Sequence, residues 1–291
     1  MRRVTTADEV RSWVAAERAA GRRIGFVPTM GALHAGHLEL VRAGRAVTDA
    51  VVLSVFVNPL QFGPGEDFER YPRDLDRDAD LAEGAGVDLL FCPTVAELYP
   101  AGPACTVDPG RLGSIWEGAV RPTHFRGVAT VLTKLFNICT PDVAVFGQKD
   151  GQQVVVVRAL ARGFCWPLEV LCVATVREGD GLALSSRNVY LDPAQRRAAP
   201  ALQAALAAAR AEVEGGERDG RRLARGLAER LAAVPGGRPD YAAVVAADTL
   251  EPMVRIEGRV LLLVAVRLGA TRLLDNACLE VTASGVTSAL P

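Results

Sequence analysis

Residues 23–58, RIGFVPTMGALHAGHLELVRAGRAVTDAVVLSVFVN, decide the fold because two apolar runs flank a helical segment. Residues 23–29 favour a strand, and residues 37–47 carry apolar side chains at helical spacing. Residues 51–58 are almost continuously apolar, which is typical of a parallel strand covered on both faces. The stretch therefore predicts a strand–helix–strand unit of a parallel sheet.

The same alternation continues to residue 175 and then changes. Further strands are predicted at 87–93, 142–147 and 167–175, with helical segments at 74–86, 125–139 and 151–163. Beyond them, an Ala-rich helix over 192–216 and a second helix ending near residue 235 precede three strand-like runs. We predict an α/β fold, with a doubly wound parallel sheet in residues 1–175 and a smaller C-terminal α+β domain in residues 176–291.

Composition argues against several classes of function. A formal net charge of −1 gives no sign of a nucleic-acid-binding or membrane-binding surface. The apolar runs are far shorter than the ~18 residues of a membrane span, and the polar N-terminus lacks the apolar core of a signal peptide. Six cysteines without a CxxC pair are typical of reduced cytoplasmic thiols. We expect a cytoplasmic protein with neither nucleic acid nor membrane as a partner.

Two of the three histidines, His34 and His37, stand at the start of the first predicted helix, in PTMGALHAGH (28–37). They lie one turn apart on the same side of the helix. Gly36 lets a ligand approach the backbone closely, and the helix N-terminus attracts phosphate. Two imidazole donors there predict a polyphosphate site. The alternative is a pair of capping or surface histidines.

Polar side chains also follow the later strands. Asn58 and Gln61 come after the second strand, Lys149 and Asp150 after the strand at 142–147, and REGDGLALSSRN after the strand near residue 170. Ligands of doubly wound sheets bind outside the carboxyl ends of the strands. We therefore expect these groups and the histidine pair to converge at one edge of the sheet.

Lysine is rare in this chain, since Lys134 and Lys149 are the only lysines among 33 basic residues. Lys149 lies between a predicted strand and a predicted helix, where a compact ammonium group suits a phosphate. Lys134 lies within a helical pattern, which favours a structural or surface role. Ser186 and Arg187 offer a hydroxyl and a guanidinium to phosphate, with a simple turn before the next helix as the alternative.

Four aspartates alternate along YPRDLDRDADL (71–81), namely Asp74, Asp76, Asp78 and Asp80. The pattern fits a metal site, but it is more typical of the acidic start and solvated face of a helix. Mg²⁺ bound to a nucleoside triphosphate needs only one or two protein carboxylates. Asp78 and Asp150 are therefore retained as candidate metal ligands.

Six stretches between residues 28 and 276 occur together: PTMGALHAGH, FVNPLQFGPGEDFERYPR, RPTHFRGV, FGQKDGQQ, TVREGDGLALSSRN and TRLLDN. The HxGH pattern alone marks a superfamily of nucleotidyltransferases. Its combination with FVNPLQF, QKDGQQ and LSSRN resembles the pantoate–β-alanine ligase family specifically. The resemblance implies a Rossmann-like N-terminal domain that binds nucleotide and pantoate, and a C-terminal lid.

The resemblance also implies an activity and its partners. It implies a cytosolic, Mg²⁺-dependent homodimer that condenses pantoate with β-alanine to pantothenate. ATP is consumed, pantoyl adenylate is the intermediate, and AMP and pyrophosphate are released. An ionised carboxylate needs alignment and charge stabilisation rather than a general base to attack ATP. Histidine, lysine, serine and arginine side chains supply that stabilisation.

Site residues follow from the matching positions. The resemblance implies that His37 is the proton donor. The charge stabilisation that the reaction needs makes His34, His37, Lys149, Ser186 and Arg187 the catalytic candidates. Gln61 is implied to contact pantoate and β-alanine, and Gln153 to hold pantoate, with Asn58 as a further substrate-binding candidate. The implied ATP-binding residues are Met30, Gly31, Ala32, Leu33, His34, Ala35, Gly36, His37, Gly147, Gln148, Lys149, Asp150, Val176, Leu184, Ser185, Ser186 and Arg187.

Two positions depart from the family pattern, and two rival functions stay open. Gly151 replaces a residue that is commonly aromatic, and is expected to loosen a helix start by up to ~1 kcal/mol. Gln148 stands where glutamate is frequent. Another HxGH nucleotidyltransferase is a rival, but the neutral segment FVNPLQF favours a small hydroxy acid over a phosphorylated acceptor. Retention of the candidate phosphate ligands argues against a nucleotide sensor without catalysis.

Overall fold

The structure is a computed structural model that describes residues 1–291 and divides into two compact units. The first unit comprises residues 1–146 and 156–173, and the second comprises residues 147–155 and 174–291. The domain boundary at 175 and 176 stays a prediction, and the compact units differ from it in where residues 147–155 and 174–175 belong. No helix combines the length and apolar character needed to cross a bilayer.

The first unit is built on a six-stranded parallel sheet, as the sequence pattern predicted. Its strands are β1 (Arg2–Val4), β2 (Ile24–Thr29), β3 (Ala50–Val55), β4 (Leu89–Phe91), β5 (Val143–Gly147) and β6 (Glu169–Val173). Their order is β1-β4-β3-β2-β5-β6. The order reverses between β2 and β5, so the carboxyl end of β2 lies at the topological switch point where such sheets bind ligands.

Helices follow the strands of this sheet. They are α1 (Ala7–Ala19), α2 (Ala35–Arg45), α3 (Leu75–Gly84), α4 (Val95–Leu98), α5 (Glu117–Val120), α6 (His124–Cys139) and α7 (Gly151–Gly163). The sequence analysis did not predict β1 or α1. A capping box of Thr6 and Glu9 begins α1, which has buried Val10 and Val14 on one side.

Both faces of the sheet are covered, which explains the continuous apolar runs. Val51, Val52 and Leu53 of β3 are all fully buried. On β2, Val27 belongs to the apolar cluster that includes Val41 of α2. Its neighbour Phe26 points to the other face and meets Phe136 of α6 edge to face, with ring centres 6.1 Å apart.

A close approach of α6 to the segment after β3 shapes the carboxyl edge of the sheet. Residues Pro59–Gln61 form a 3₁₀ turn against α6 at Gly127. A Cβ atom added to Gly127 would lie 2.3 Å from the carbonyl oxygen of Leu60. Glycine is therefore required here for the turn to approach the helix.

Beyond residue 173, the second unit contains three α-helices and a four-stranded antiparallel sheet, which confirms the smaller α+β region. Its elements are α8 (Pro193–Ala198), α9 (Ala201–Glu214), α10 (Gly220–Ala232), β7 (Gly237–Ala246), β8 (Gly258–Leu268), β9 (Thr271–Thr282) and β10 (Gly285–Ser288). The sheet order is β10-β9-β8-β7. The fourth strand, β10, is short and largely exposed, so its sequence lacks the apolar pattern of the other three.

The single helix predicted over 192–216 was wrong, because the structure divides it into α8 and α9. Asp192 caps α8 as expected, accepting the backbone N–H groups of Ala194 and Gln195. Pro200 stands at the break. Since proline has no N–H to donate, it interrupts the helical hydrogen bonds.

Candidate functional site

His34 and His37 form a capping box at the start of α2. His34 is the N-cap residue, and its Nδ1 accepts the backbone N–H of Gly36 at 3.2 Å. The Nδ1 of His37 accepts the backbone N–H of His34 at 3.3 Å. A neutral imidazole that accepts at Nδ1 carries its proton on Nε2. The hydrogen bonds therefore select the Nε2–H tautomer of both rings, whose centres lie 4.1 Å apart.

Capping and phosphate binding are thus compatible for this pair. The capping alternative describes the structure correctly, and the capping hydrogen bonds are made by the Nδ1 atoms. The Nε2–H groups keep the donor character that phosphate oxygens require. Both side chains are half-buried, and their ring orientations are set by backbone hydrogen bonds. Their catalytic roles stay a prediction.

The turn that precedes this helix is held by Asp78 of α3. Gly31 and Ala32 have φ values of 83° and 50°, which for Ala32 is an uncommon, strained conformation. Asp78, only 1% exposed, accepts the N–H of Ala32 at 2.8 Å and the N–H of Leu33 at 2.7 Å. Arg77 donates to the carbonyl oxygen of Leu33 at 3.2 Å. Two adjacent residues of α3 therefore stabilise the turn that carries the predicted ATP-binding residues.

These hydrogen bonds also bear on the metal prediction. Asp74 is the N-cap of α3 and Asp76 is exposed, so the acidic stretch is a helix start, as favoured from the sequence. The predicted solvated face was wrong for Asp78, which is buried because it binds the preceding turn. No group of three or more His, Cys, Asp or Glu side chains is arranged to hold a metal ion. Because both oxygens of Asp78 accept backbone N–H groups, its geometry favours a structural role, and its role as a metal ligand stays a prediction.

Asn58 and Gln61 belong to a buried chain of hydrogen bonds. Tyr99 donates its hydroxyl to Asn58 Oδ1 at 3.0 Å, and Asn58 Nδ2 donates to Gln61 Oε1 at 3.0 Å. Asn58 Nδ2 also donates to the carbonyl oxygen of Gly127 at 3.1 Å. Gln61 Nε2 then lies 3.0 Å from the sulfur of Met30. Tyr99 thereby orients Asn58, and Asn58 orients the amide of Gln61.

Two features keep this chain in one hydrogen-bonding state. Burial raises the pKa of Tyr99 well above its usual range, so its hydroxyl remains a donor. The backbone of Gln61 is also anchored, because its carbonyl oxygen accepts from Arg121 at 3.1 Å and contacts His124 Nδ1 at 3.1 Å. Burial, the largest single effect on Glu66, would raise its pKa, but the hydrogen bond and charge of Arg121, the Gly63 N–H and His124 together lower it.

Sequence reasoning missed Tyr99 and Arg121 as supporting residues and assigned no role to His124. Tyr99 lies 41 residues from Asn58, and Arg121 lies 60 residues from Gln61. No local periodicity connects positions so far apart. The stretch RPTHFRGV was the available signal for Arg121 and His124, and it carried meaning only through the family resemblance.

In the second unit, Lys149 lies on the 3₁₀ turn Gln148–Asp150. Its Nζ is 3.5 Å from Asp150 Oδ1. The carbonyl oxygens of Gln148 and Lys149 both accept from the Nδ2 of Asn276, at 2.7 and 2.9 Å. A Cβ atom at Gly151 would lie 3.1 Å from Asn276 Cγ, so the glycine accommodates this close packing. Gln153 lies half-buried on α7.

Ser186 and Arg187 follow a short hairpin of the second unit. The N–H of Leu184 donates to the carbonyl oxygen of Val176 at 3.0 Å, which closes the hairpin. Ser185 caps the 3₁₀ turn Ser186–Tyr190 by accepting the N–H of Arg187 at 3.3 Å. The two candidate phosphate ligands therefore begin a capped turn, and both are half-buried.

Within each unit, the structure brings some predicted residues together. In the first unit, Gln61 contacts Met30 at the start of the histidine-bearing segment. In the second, the Lys149 turn and the 176–187 hairpin are both attached to β9. The expected convergence of all four polar stretches stays a prediction.

Comparisons with known proteins give consistent results. The model of the family described as pantoate-beta-alanine ligase matches residues 2–278. A pantothenate synthetase from Moorella thermoacetica is 53% identical over 281 residues, which cover 97% of this chain and 99% of that relative. The solved structure of pantothenate synthetase from Thermus thermophilus aligns with a TM-score of 0.89 and 51% identity, covering 95% and 98% of the two chains.

A further solved structure contains ligands. It is described as the pantoate-beta-alanine ligase of Francisella tularensis complexed with beta-gamma ATP and beta-alanine. It aligns with a TM-score of 0.76 and 30% identity, covering 95% of this chain and 97% of that one.

The role of Asp78 is tested by Asp78→Asn. Asparagine has one acceptor oxygen, so its amide NH₂ would face one of the two backbone N–H groups. We expect a loss of about 1–3 kcal/mol in the free energy of unfolding and faster amide hydrogen exchange at Ala32 and Leu33. Asp76→Asn is the control, because Asp76 is 92% exposed and pairs only with Arg3. Unchanged exchange at Ala32 and Leu33 in Asp78→Asn would contradict this role.

Proposed function

Because this chain belongs to the pantoate–β-alanine ligase family, we propose that it condenses pantoate with β-alanine to form pantothenate, using ATP. The observation that carries the site assignment is the imidazole capping box of His34 and His37, which sets the tautomer of both rings at a helix N-terminus. Family membership also decides against the two rivals, a nucleotidyltransferase with a phosphorylated acceptor and a sensor without catalysis.

In the first step, the pantoate carboxylate attacks the α-phosphorus of ATP and pyrophosphate leaves. Negative charge increases on the phosphate oxygens, and fixed donors stabilise it without reorganising. We assign this task to the Nε2–H groups of His34 and His37, the ammonium group of Lys149, and the side chains of Ser186 and Arg187. The backbone at 30–37, 147–150, Val176 and 184–187 would bind the nucleotide.

Pantoate recognition is assigned to Gln61 and Gln153, with Asn58 in a supporting role. Asn58 holds the amide of Gln61 in one orientation, so Gln61 loses little rotamer freedom when substrate binds. Asn58 itself uses its Nδ2 on Gln61 and Gly127 and its Oδ1 on Tyr99. Its contribution is therefore to orient Gln61, a change from the direct substrate contact proposed from the sequence.

In the second step, β-alanine loses a proton to become the free amine, which attacks the pantoyl carbonyl carbon. The acyl C–O bond breaks, AMP leaves as a stable anion, and the new amide nitrogen releases a second proton to solvent. The mixed anhydride must be protected from water, which gives the proposed lid role of residues 176–291 a purpose. Mg²⁺ would enter bound to ATP and neutralise phosphate charge, with Asp150 as the available carboxylate beside Lys149. The homodimer and the cytoplasmic location are likewise proposals.

The adenylate mechanism is tested by isotope exchange. Pantoate, ATP and Mg²⁺ should support the transfer of labelled pyrophosphate into ATP without β-alanine, because the first step is reversible by itself. Omission of pantoate is the control and should abolish exchange. Exchange that strictly requires β-alanine would exclude a separate adenylate intermediate.

Lys149→Arg tests the shape of the cation as well as its charge. Arginine has a wider planar head and a different reach, so it should misplace charge among the phosphate oxygens. A displacement of about 1 Å can reduce the rate roughly 100-fold. We expect a folded protein with pyrophosphate exchange reduced to that extent.

The matched control is Arg11→Lys, the reverse exchange at an exposed position of α1. Lys134 is unsuitable, because its Nζ lies 5.7 Å from the centre of the Tyr99 ring. A wild-type rate of pyrophosphate exchange in Lys149→Arg would show that any positive charge suffices at position 149.

Tyr99→Phe tests the chain of hydrogen bonds that orients Gln61. Loss of one hydrogen bond of about 0.5–1.5 kcal/mol should raise the KM for pantoate by about 2- to 10-fold. The KM for ATP should stay near its wild-type value, since Tyr99 acts through Gln61, which is assigned to pantoate and β-alanine. Tyr241→Phe on β7 is the control. Equal changes in both KM values would indicate a general loss of structure instead.

A further inference from the structure

The stretch TRLLDN (271–276) is not used in the proposed chemistry, yet it buries two polar side chains in the second unit. Asp275 and Asn276 of β9 are 4% and 2% exposed. Their partners on the neighbouring strand β8 are Val264 and Leu263. Polar groups at such positions cost free energy unless they are hydrogen-bonded. Their hydrogen-bond partners therefore show what the pair stabilises.

Asn276 holds the turn that carries Lys149. Its Nδ2 donates to two successive carbonyl oxygens, those of Gln148 and Lys149, at 2.7 and 2.9 Å. Both N–H bonds of the amide are thus used on one 3₁₀ turn. The absence of a side chain at Gly151 allows this packing, since a Cβ there would lie within 3.2 Å of three Asn276 side-chain atoms. The backbone from which Lys149 extends is consequently fixed by a residue of the sheet.

Asp275 holds the hairpin that leads to Ser186 and Arg187. Its carboxylate accepts hydrogen bonds from Nη1 and Nη2 of Arg177, at 2.6 and 3.0 Å. This bidentate geometry gives strong and directional pairing. Arg177 Nη1 also donates to the carbonyl oxygen of Gly181 at 3.1 Å, which braces the hairpin from inside. Asp275 Oδ1 further accepts the N–H of Asn276 at 2.8 Å.

The two side chains act on opposite faces of one strand, because successive residues of a strand point to opposite sides. Asp275 shares its face with Leu273 and Leu279 of the apolar core, and Asn276 lies on the other face. A strand paired along its length with β8 is a rigid element. Two turns that are each attached to one face of this strand are therefore held at a constant distance from each other.

We propose that Asp275 and Asn276 are positioning residues that fix the Lys149 turn and the Ser186–Arg187 turn relative to each other before ATP binds. The inference rests on the proposed phosphate roles of Lys149, Ser186 and Arg187. It assigns a purpose to the DN pair of TRLLDN. Because the side chains are aligned in advance, less conformational entropy is lost when they bind phosphate in the transition state.

The test uses Asn276→Asp, which keeps the size of the side chain but replaces its NH₂ donor with an acceptor. Two carbonyl oxygens then lose their donor and face a carboxylate. The chain has only two lysines, so protein labelled with ¹³C-lysine gives a site-specific readout. Lys149→Arg and Lys134→Arg assign the two sets of signals.

In Asn276→Asp we expect the Lys149 signals to shift, the Lys134 signals to stay in place, and pyrophosphate exchange to fall roughly 10- to 100-fold. Glu280→Gln, on the same strand but paired with Arg259 at the surface, is the matched control and should change neither readout. Should Asn276→Asp fail to fold by circular dichroism, Asn276→Ser retains one donor and is judged by the same two readouts.

The outcomes separate this proposal from the function on which it rests. Unmoved Lys149 signals in a folded variant overturn the positioning role, whatever happens to exchange. Shifted Lys149 signals with wild-type exchange support the positioning of Lys149 and overturn its phosphate role. In a Lys149→Ala background, Asn276→Asp should reduce exchange little further, because its effect is exerted through the Lys149 turn. Full additivity for Asn276→Asp would overturn the proposal.

Discussion

The start of α2 imposes the constraint on which the candidate site of the first unit depends. The first backbone N–H groups of a helix have no partner within the helix and require acceptors. Serine, aspartate or asparagine usually provides one, but here the Nδ1 atoms of His34 and His37 do so. Satisfying the backbone in this way determines which nitrogen carries the proton and how each ring is oriented. The chemistry available at Nε2 is therefore a consequence of helix capping.

The same relation between backbone and side chain recurs at the other turns. A turn that follows a strand has backbone groups that regular secondary structure leaves unpaired. Asp78 accepts hydrogen bonds from the backbone N–H groups of residues 32–33. Asn58 donates to Gln61 and to the carbonyl oxygen of Gly127. Asn276 donates to the carbonyl oxygens of residues 148–149. Each of these residues is buried. The proposed ligand-binding side chains extend from backbone that buried polar residues elsewhere in the chain hold in place.

Much of the fold was predictable, because hydrophobic periodicity acts over a few residues. The runs at 23–29, 51–58 and 142–147 became strands of the parallel sheet, and the segment 125–139 became α6. The errors have local causes. A three-residue edge strand and an exposed last strand carry too little apolar pattern to be recognised, and the break before α9 depended on one proline within an Ala-rich run.

The sequence by itself determined the class of fold, the main strands of the parallel sheet, the family and the residue types available for phosphate and pantoate. These properties depend on short motifs and local spacing, which need no knowledge of distant contacts. Only the tertiary structure decided how those residues are held. Asp78 meets Ala32 across 46 positions, and Asn276 meets Lys149 across 127. Hydrogen bonds of this kind arise when the sheets and helices pack, so no pattern within a short window predicts them.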